Sequence, residues 1–107
     1  MLNQSVLVGR VVKDIEYKKI EDKDVCQLCL AVPRNIKNIN GEYGTDFIDC
    51  ILFQSVAQLA NEYCKKGDFL GIRGRLESCL KNINGVEVKT VQLIAEKISF
   101  LSSNKPV

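Results

Sequence analysis

Short segments with a two-residue apolar period dominate the first half of the chain. Val25–Val32 and Asp46–Phe53 alternate between two faces, and Gln4–Val12 is rich in valine and leucine. A period of two indicates β-strands, because successive side chains of a strand point to opposite faces. Gly9 interrupts the first segment where a barrel strand can bend. We therefore predict three strands here, with Asp14–Ile20 continuing the first one around a corner.

The second half begins with a change to helical period. Gln54–Lys66 predicts a helix of about three turns, and Gly67 follows it as a stop signal. The apolar residues at helical spacing are Val56, Leu59, Ala60 and Tyr63. Two more strands, Asp68–Leu80 and Glu87–Leu101, complete the set.

The string Asn-Ile-Asn-Gly occurs twice, at residues 38–41 and 82–85. Asn-Gly between apolar segments is a strong hairpin signal. The similarity ends on both sides of the string, so we predict two independent turns rather than a repeated unit. The first turn lies in an arm of residues 34–45, which follows Pro33, where the useful hydrogen bonding of the strand ends. A charged turn is also predicted at Glu21–Asp24.

The order of these elements predicts an all-β fold. Three strands, one helix and two strands, with glycines inside long strands, fit a five-stranded Greek-key OB-fold barrel with its helix between strands 3 and 4. An SH3-like barrel lacks that helix, and a ferredoxin-like fold needs two. The 107 residues allow one domain. We assign residues 1–101 to the barrel and 102–107 to a short polar C-terminal end.

Composition and charge exclude most catalytic classes. The chain has no histidine, which removes Ser-His and Cys-His nucleophile pairs and the commonest general base. It has no phosphate-binding glycine loop. The net charge is only +2, so any affinity for nucleic acid depends on where the charges lie. We expect no enzymatic activity, no catalytic residue and no cofactor.

The cysteines are predicted to be buried thiols. Cys26 and Cys29 have the spacing of half a zinc site, but strand alternation directs them to opposite faces and no second pair exists. The count of five is odd, and most of these residues lie in apolar segments. We expect no metal site, a reducing cytoplasmic location and no membrane segment.

The third predicted strand carries the candidate binding surface. Its second face holds Phe47, Asp49, Ile51 and Phe53, and a carboxylate is costly in a core. That face is therefore expected to be wet, with two phenylalanines available to stack on bases. The alternative is that both rings pack under the arm or against another subunit. The basic residues expected to border the platform are Arg10, Lys13, Arg34, Lys37, Arg73, Arg75 and Lys81.

Five stretches resemble a known family in the same order and spacing. They are residues 1–16 (Met-Leu-Asn-Gln-Ser-Val-Leu-Val-Gly-Arg-Val-Val-Lys-Asp-Ile-Glu), Leu30–Val32, Thr45–Phe53, Glu62–Gly67 and Gly74–Leu76. Together they resemble the bacterial single-stranded DNA-binding protein (SSB) family over nearly the whole chain. The resemblance implies an OB-fold that wraps single-stranded DNA and assembles as a homotetramer.

The family's binding positions carry over only in part. Its stacking aromatics on strand three correspond to Phe47 and Phe53, while two others correspond to Ile36 in the arm and Lys81. Basic positions of the family correspond to Asp49 and Glu77, and two subunit-interface positions to Ile48 and Gly71. The resemblance thus implies DNA contacts at Phe47, Phe53, Ile36 and Lys81.

These observations predict sequence-independent binding and protection of single-stranded DNA during replication, recombination or repair. The expected partners are single-stranded DNA and further copies of the chain, as a tetramer or a dimer, in the cytoplasm at the nucleoid. Family members usually continue into an acidic tail that recruits replication and repair proteins. Here the sequence ends at Ser-Ser-Asn-Lys-Pro-Val without one. A tail-less paralogue and a shortened chain both fit this ending, and replication or repair proteins stay open as partners.

Two other classes of function remain open. A protein-interaction module for primosome assembly is favoured by the low net charge and the missing aromatics. An OB-fold enzyme or nuclease has no supporting residues. Salt-dependent titration with single-stranded DNA separates the first class from direct binding.

Overall fold

A computed structural model describes residues 1–102, which form six strands and one helix. The elements are β1 (Ser5–Val11), β2 (Glu16–Ile20), β3 (Lys23–Lys37), β4 (Tyr43–Phe53), α1 (Gln54–Tyr63), β5 (Phe69–Ile83) and β6 (Val86–Ser102). The predicted C-terminal end, apart from Ser102, lies outside the described residues. Within the described part, no helix has the length and apolarity needed to cross a membrane.

Five of the strands close into a barrel. The sheet order is β1-β5-β6-β4-β3-β2. An additional pairing of β1 with β3 closes the first five strands of this order into a ring. β4 and β6 are parallel over three residue pairs, whereas every other pairing is antiparallel. β2 pairs with β3 outside the ring. The predicted OB-fold, with one helix between its third and fourth barrel strands, is confirmed.

The prediction that Asp14–Ile20 continues the first strand was wrong. Residues 16–20 form a separate strand, β2, antiparallel to β3. β1 already lies between β5 and β3 at Arg10, so both of its hydrogen-bonding edges are occupied there. The predicted charged turn is limited to Glu21 and Asp22, which both have positive φ angles and connect β2 directly to β3.

The barrel interior follows the predicted alternation. Cys26, Leu28 and Leu30 of β3 are buried, and so are Cys50 and Leu52 of β4. The other large buried side chains are Val11, Leu70, Ile72 and Leu93. Burying this contiguous apolar set provides the main stabilisation of the fold.

The helix is shorter than predicted, and of its predicted apolar residues only Val56 and Ala60 pack against the core. It ends at Tyr63, because Cys64 adopts an extended conformation while its N–H donates to the Ala60 carbonyl oxygen. Ala57 and Ala60 are fully buried, whereas Leu59 and Tyr63 are exposed. Small side chains allow the helix to approach the barrel closely, so the larger apolar residues lie at its edge.

Two glycines are required by close approach of the backbone. A Cβ at Gly9 would lie 2.4 Å from the Ala31 carbonyl oxygen, and one at Gly74 would lie 2.1 Å from the Ile94 carbonyl oxygen. Neither distance is compatible with a side chain. These glycines let β1 cross β3 and let β5 bend against β6, as barrel closure requires.

The arm differs from its prediction at Pro33. β3 continues through this residue, which faces Thr45, and the ladder becomes irregular only between Pro33 and Lys37. The arm is therefore an extension of the β3–β4 hairpin. Its tip is closed by the Asn38 side chain, whose oxygen accepts hydrogen bonds from the Asn40 and Glu42 N–H groups, both at 2.9 Å.

The second hairpin closes differently despite its identical string. Asn84 and Gly85 both have positive φ angles, as a two-residue type I′ turn requires. In the arm, only Gly41 does. The two copies of Asn-Ile-Asn-Gly thus form two different turns.

Candidate nucleic-acid interface

The outer face of β4 carries the two predicted phenylalanines. Phe47 is 67% exposed and Phe53 is 43% exposed. Asp49 lies between them on the same face and is also exposed. The prediction of a wet aromatic face is confirmed within the single chain, where neither ring is packed under the arm.

A third aromatic residue shares this face. Tyr43 begins β4, in phase with Phe47 and Phe53, and is exposed. The ammonium of Lys37 lies 5.6 Å from the centre of its ring. Sequence reasoning missed Tyr43 because the arm was predicted as a loop up to residue 45. Its two-residue phase with Phe47 was the available signal.

Three hollows join into one groove across this surface, which we call the outer groove. The largest, about 330 Å³, lies between β4 and the β5–β6 hairpin and is called the hairpin pocket. A second, about 270 Å³, lies between β2 and Phe53 and is called the β2 pocket. A small hollow of about 60 Å³ joins them through shared lining residues. The small hollow shares Gln27 and Asp49 with the hairpin pocket, and it shares Gln27 and Glu16 with the β2 pocket.

The hairpin pocket lies where β4 and β6 are unpaired, because the two parallel strands pair only at Cys50–Leu52 and most of the pocket residues precede this segment on both strands. Leucines of three strands line it beside Phe47: the buried Leu93, the partly buried Leu7 and the exposed Leu76. Its polar lining consists of Ser5, Gln27, Asp49, Lys81 and Gln92. The pocket thus combines an apolar wall and an aromatic ring with both hydrogen-bond donors and acceptors.

Three lysines lie along the outer groove. Lys81 lines the hairpin pocket, Lys13 the small hollow and Lys18 the β2 pocket. Lys18 was missed by sequence reasoning, which treated its segment as part of the first strand. The structure brings Phe47, Phe53, Lys13 and Lys81 of the predicted set together along one groove.

Two predicted arginines are already paired with carboxylates. Arg75 lies 3.1 Å from Glu77 and 3.4 Å from Glu96. Arg34 binds Asp46 at 2.7 Å. Hydrogen bonds from Arg34 lower the pKa of the Asp46 carboxyl, and Asp46 in turn raises the pKa of Arg34. These cations are partly neutralised before any phosphate arrives.

The remaining predicted residues lie apart from the outer groove. Arg10 stacks on Phe69, with its guanidinium carbon 4.4 Å from the ring centre. Arg73 lies on β5 in register with Val6 of β1 and Lys97 of β6, on a different side of the barrel. Ile36 is exposed on the arm, where Lys37 also lies.

The cysteines offer little reactive chemistry. All five are free, and every one except Cys79 is buried. Burial raises the pKa of Cys26 to about 11 and that of Cys50 and Cys64 to about 12. Burial and the neighbouring Asp49 charge also raise the pKa of Cys29. The described residues contain no group of three or more Cys, Asp or Glu side chains arranged to hold a metal ion.

A five-stranded Greek-key barrel with an aromatic groove on its outer strands defines an OB-fold protein of the class that binds oligonucleotides. Comparisons with known proteins give the family. The profile of the Single-strand binding protein family matches residues 2–101. The chain belongs to this family.

Similar proteins cover almost the whole chain. Single-stranded DNA-binding protein 1 of Lactococcus lactis is 36% identical over 98% of this chain and 71% of its own length. Single-stranded DNA-binding protein B of Bacillus subtilis is 34% identical over 94% of this chain and 91% of its own length. A Plasmodium falciparum SSB solved in complex with ssDNA shares the fold, with a TM-score of 0.83 at 22% identity, and the match covers 95% of this chain and 96% of that one.

Proposed function

We propose that this protein binds and protects single-stranded DNA of any sequence during replication, recombination or repair, and that it acts by binding alone. Single-strand binding itself is the property of the family to which the chain belongs. The observation that carries the proposal is the row of exposed aromatic rings Tyr43, Phe47 and Phe53 on one face of β4. Every base has a face that stacks on such rings, so binding by stacking tolerates any sequence.

The lysines of the outer groove complement the rings. Lys13, Lys18 and Lys81 line its successive hollows. When the bases of a DNA strand stack on β4, its phosphates lie beside these ammonium groups. The release of counterions from the phosphates then contributes to the affinity. We propose these lysines as phosphate contacts, with the exposed arm residues Arg34, Ile36 and Lys37 as further contacts.

We also propose that the protein is a homo-oligomer, most favourably a tetramer, with a dimer as the alternative. The outer face of β1, β5 and β6 exposes Val6, Val8, Phe69 and Leu101. β1 pairs with β5 along one edge, but along its other edge it pairs with β3 only at Arg10 and Val11. That other edge has no partner strand at Ser5–Gly9 among the described residues. An open edge beside an apolar face favours pairing with a second copy.

The two subunit-interface positions implied by the family resemblance, Gly71 and Ile48, do not fit this arrangement equally well. Gly71 lies in the middle of the apolar face, in register with Val8 and Ser99. Ile48 instead packs against the barrel core. We therefore place the subunit interface on the β1–β5–β6 face, and we place the protein in the cytoplasm at the nucleoid, where single-stranded DNA arises.

A protein-interaction module is the second candidate function. The carboxylates Asp49 and Glu77 on the strand surface, and the pairing of Arg75 with Glu77 and Glu96, favour it. A module of this kind would contact replication or repair proteins through its surface and bind DNA weakly.

Titration of fluorescent poly-dT at several salt concentrations tests the proposal. We expect saturable binding, with a logarithm of the binding constant that falls linearly with the logarithm of the salt concentration. The slope of this line should be about −0.7 for each phosphate contact. Duplex DNA of the same length is the control and should bind much more weakly, because its bases are not free to stack. Weak binding to both ligands would favour the protein-interaction module.

A further inference from the structure

The hairpin pocket contains chemistry that general stacking does not require. Its volume, about 330 Å³, is at the lower end of small-ligand pockets, roughly 300–1,000 Å³. Phe47 provides a ring at one side, while Asp49, Gln27 and Gln92 provide polar groups and Lys81 a cation. The pocket therefore has the shape and surroundings to receive one base of a bound strand.

Asp49 restricts what can occupy this pocket. An ionised carboxylate only accepts hydrogen bonds. The neighbouring Cys29 thiol is a weak donor and leaves most of that capacity unused. Asp49 would repel a phosphate at its own end of the pocket, so a group that contacts Asp49 must present donors, while Lys81 remains available to a phosphate. Within a DNA strand, only the edges of the bases present donors.

The four bases differ in the donors they present. Guanine has a ring N–H beside an exocyclic amino group, which together match the two oxygens of a carboxylate. Cytosine and adenine each have an exocyclic amino group. Thymine has only one ring N–H, and it lies between two carbonyl oxygens that an ionised carboxylate repels.

We propose that Asp49 makes the hairpin pocket a base-selective subsite that favours amino-bearing bases, guanine first and thymine last. The proposal rests on the proposed function, because the base reaches the pocket only as part of a bound strand. The remaining groove still binds every sequence by stacking and phosphate contacts, so the subsite produces a preference for base composition. Asp49 is then a specificity-determining residue.

The test compares two oligonucleotides that differ only in the exocyclic amino group. One is a dT strand with guanines at dispersed positions, and the other has inosine at the same positions. We expect the parent protein to bind the guanine strand about 5- to 10-fold more tightly, as one hydrogen bond to a charged group allows. Asp49→Ala should bring the ratio to about one, and Asp49→Asn should give an intermediate ratio, because a neutral acceptor is weaker.

Glu77→Gln is the matched control. It removes an exposed carboxylate of β5 that does not line the hairpin pocket. It should therefore change the affinity for both oligonucleotides equally and keep their ratio. A ratio of one in the parent protein, or a ratio that Asp49→Ala leaves unchanged, would overturn the proposal. Absence of binding to either strand would instead overturn the proposed function.

Discussion

Carboxylates decide which cations of the surface are available to a ligand. Arg75 lies between Glu77 and Glu96, and Arg34 is paired with Asp46. Such exposed pairs contribute little to stability, yet each one must be exchanged before its arginine can bind a phosphate. Lys81 lines the hairpin pocket, and no carboxylate of the described residues lies within salt-bridge distance of its ammonium group. Lys81 should therefore contribute more to phosphate binding than Arg34 or Arg75.

This difference predicts unequal effects of two charge-removing substitutions. Lys81→Gln should weaken binding to poly-dT and reduce the slope of affinity against salt by about 0.7, the value of one phosphate contact to a single strand. Arg75→Gln should change the slope much less. In the parent, Arg75 can bind a phosphate only by leaving Glu77 and Glu96, which would then be unpaired. Fluorescence titrations over a salt series measure both slopes. Equal reductions in the two variants would show that DNA displaces the Arg75 carboxylates without penalty.

The aromatic residues of β4 should contribute to binding and not to folding. Phe47→Ala and Phe53→Ala are each expected to weaken binding to poly-dT by about 1–3 kcal/mol, the loss of one stacked base. Thermal unfolding of both variants should stay close to that of the parent, since both rings are exposed. Tyr63→Ala, which removes an exposed ring from the helix, is the control and should leave the affinity unchanged. Strong destabilisation with unchanged affinity would identify the rings as packing residues.

At the scale of elements, one buried carboxylate connects β2, β3 and the helix. The Tyr17 hydroxyl and the Gln58 amide nitrogen both donate hydrogen bonds to Asp24, which is 6% exposed. β2 has no buried residue of its own, so this network and the ladder to β3 hold it in place. β2 in turn supplies Lys18 and Ile20 to the β2 pocket. The network thus positions one wall of the outer groove.

The Asp24 network predicts a loss of stability in acid. Hydrogen bonds from Tyr17 and then Gln58 lower the pKa of Asp24 below its usual value. A lowered native pKa stabilises the fold above the ordinary aspartate pKa, about 4, and this stabilisation is lost as the pH falls through the native pKa. Thermal melts from pH 6 to pH 3 should fall more steeply for the parent than for Asp24→Asn. Asp14→Asn, at an exposed position, should follow the parent.

At the scale of the whole molecule, the barrel leaves an apolar face that one chain cannot cover. Val6 and Val8 are 68% and 54% exposed beside the open edge of β1. Arg10, Arg73 and Lys97 lie on or beside the same face. On β1 the groove is lined by Ser5 and Leu7, which point to the opposite side of the strand from Val6 and Val8. Association through the Val6 and Val8 side therefore leaves the groove accessible. A single barrel also covers only about 4–16 nucleotides, so several copies are needed for a strand to be wrapped.

Assembly through this face predicts a specific dissociating substitution. Sedimentation equilibrium at micromolar concentration should give the parent a mass about four times that of one chain, with or without reductant, because the thiols are free and mostly buried. Val8→Glu should lower the mass, since a carboxylate would enter an apolar interface. Leu59→Glu, on the exposed helix edge, should not. A monomeric parent under both conditions would contradict the oligomer.

Local pattern was sufficient to predict the five barrel strands, the presence of the helix and part of the site. The two-residue period of β3 and β4 determined which side chains are buried, because a strand has only two faces and one of them is apolar. The same rule placed Phe47, Asp49 and Phe53 on the outside. The Asn-Gly string marked both hairpins correctly, although their turn geometries differ. The absence of histidine limited the chemistry without any structure.

Other features depended on contacts between distant residues, which no local pattern contains. The pairing of Arg75 with Glu96 depends on the β5–β6 register. The hairpin pocket depends on β4 and β6 being unpaired before Cys50 and Leu93. β2 is a separate strand because both edges of β1 are already occupied at Arg10 in the closed barrel. The length of the helix likewise depends on how it packs against the barrel. The tertiary structure therefore decided which predicted cations share one groove with the aromatic rings, since that depends on the spatial order of strands and not on their order in the chain.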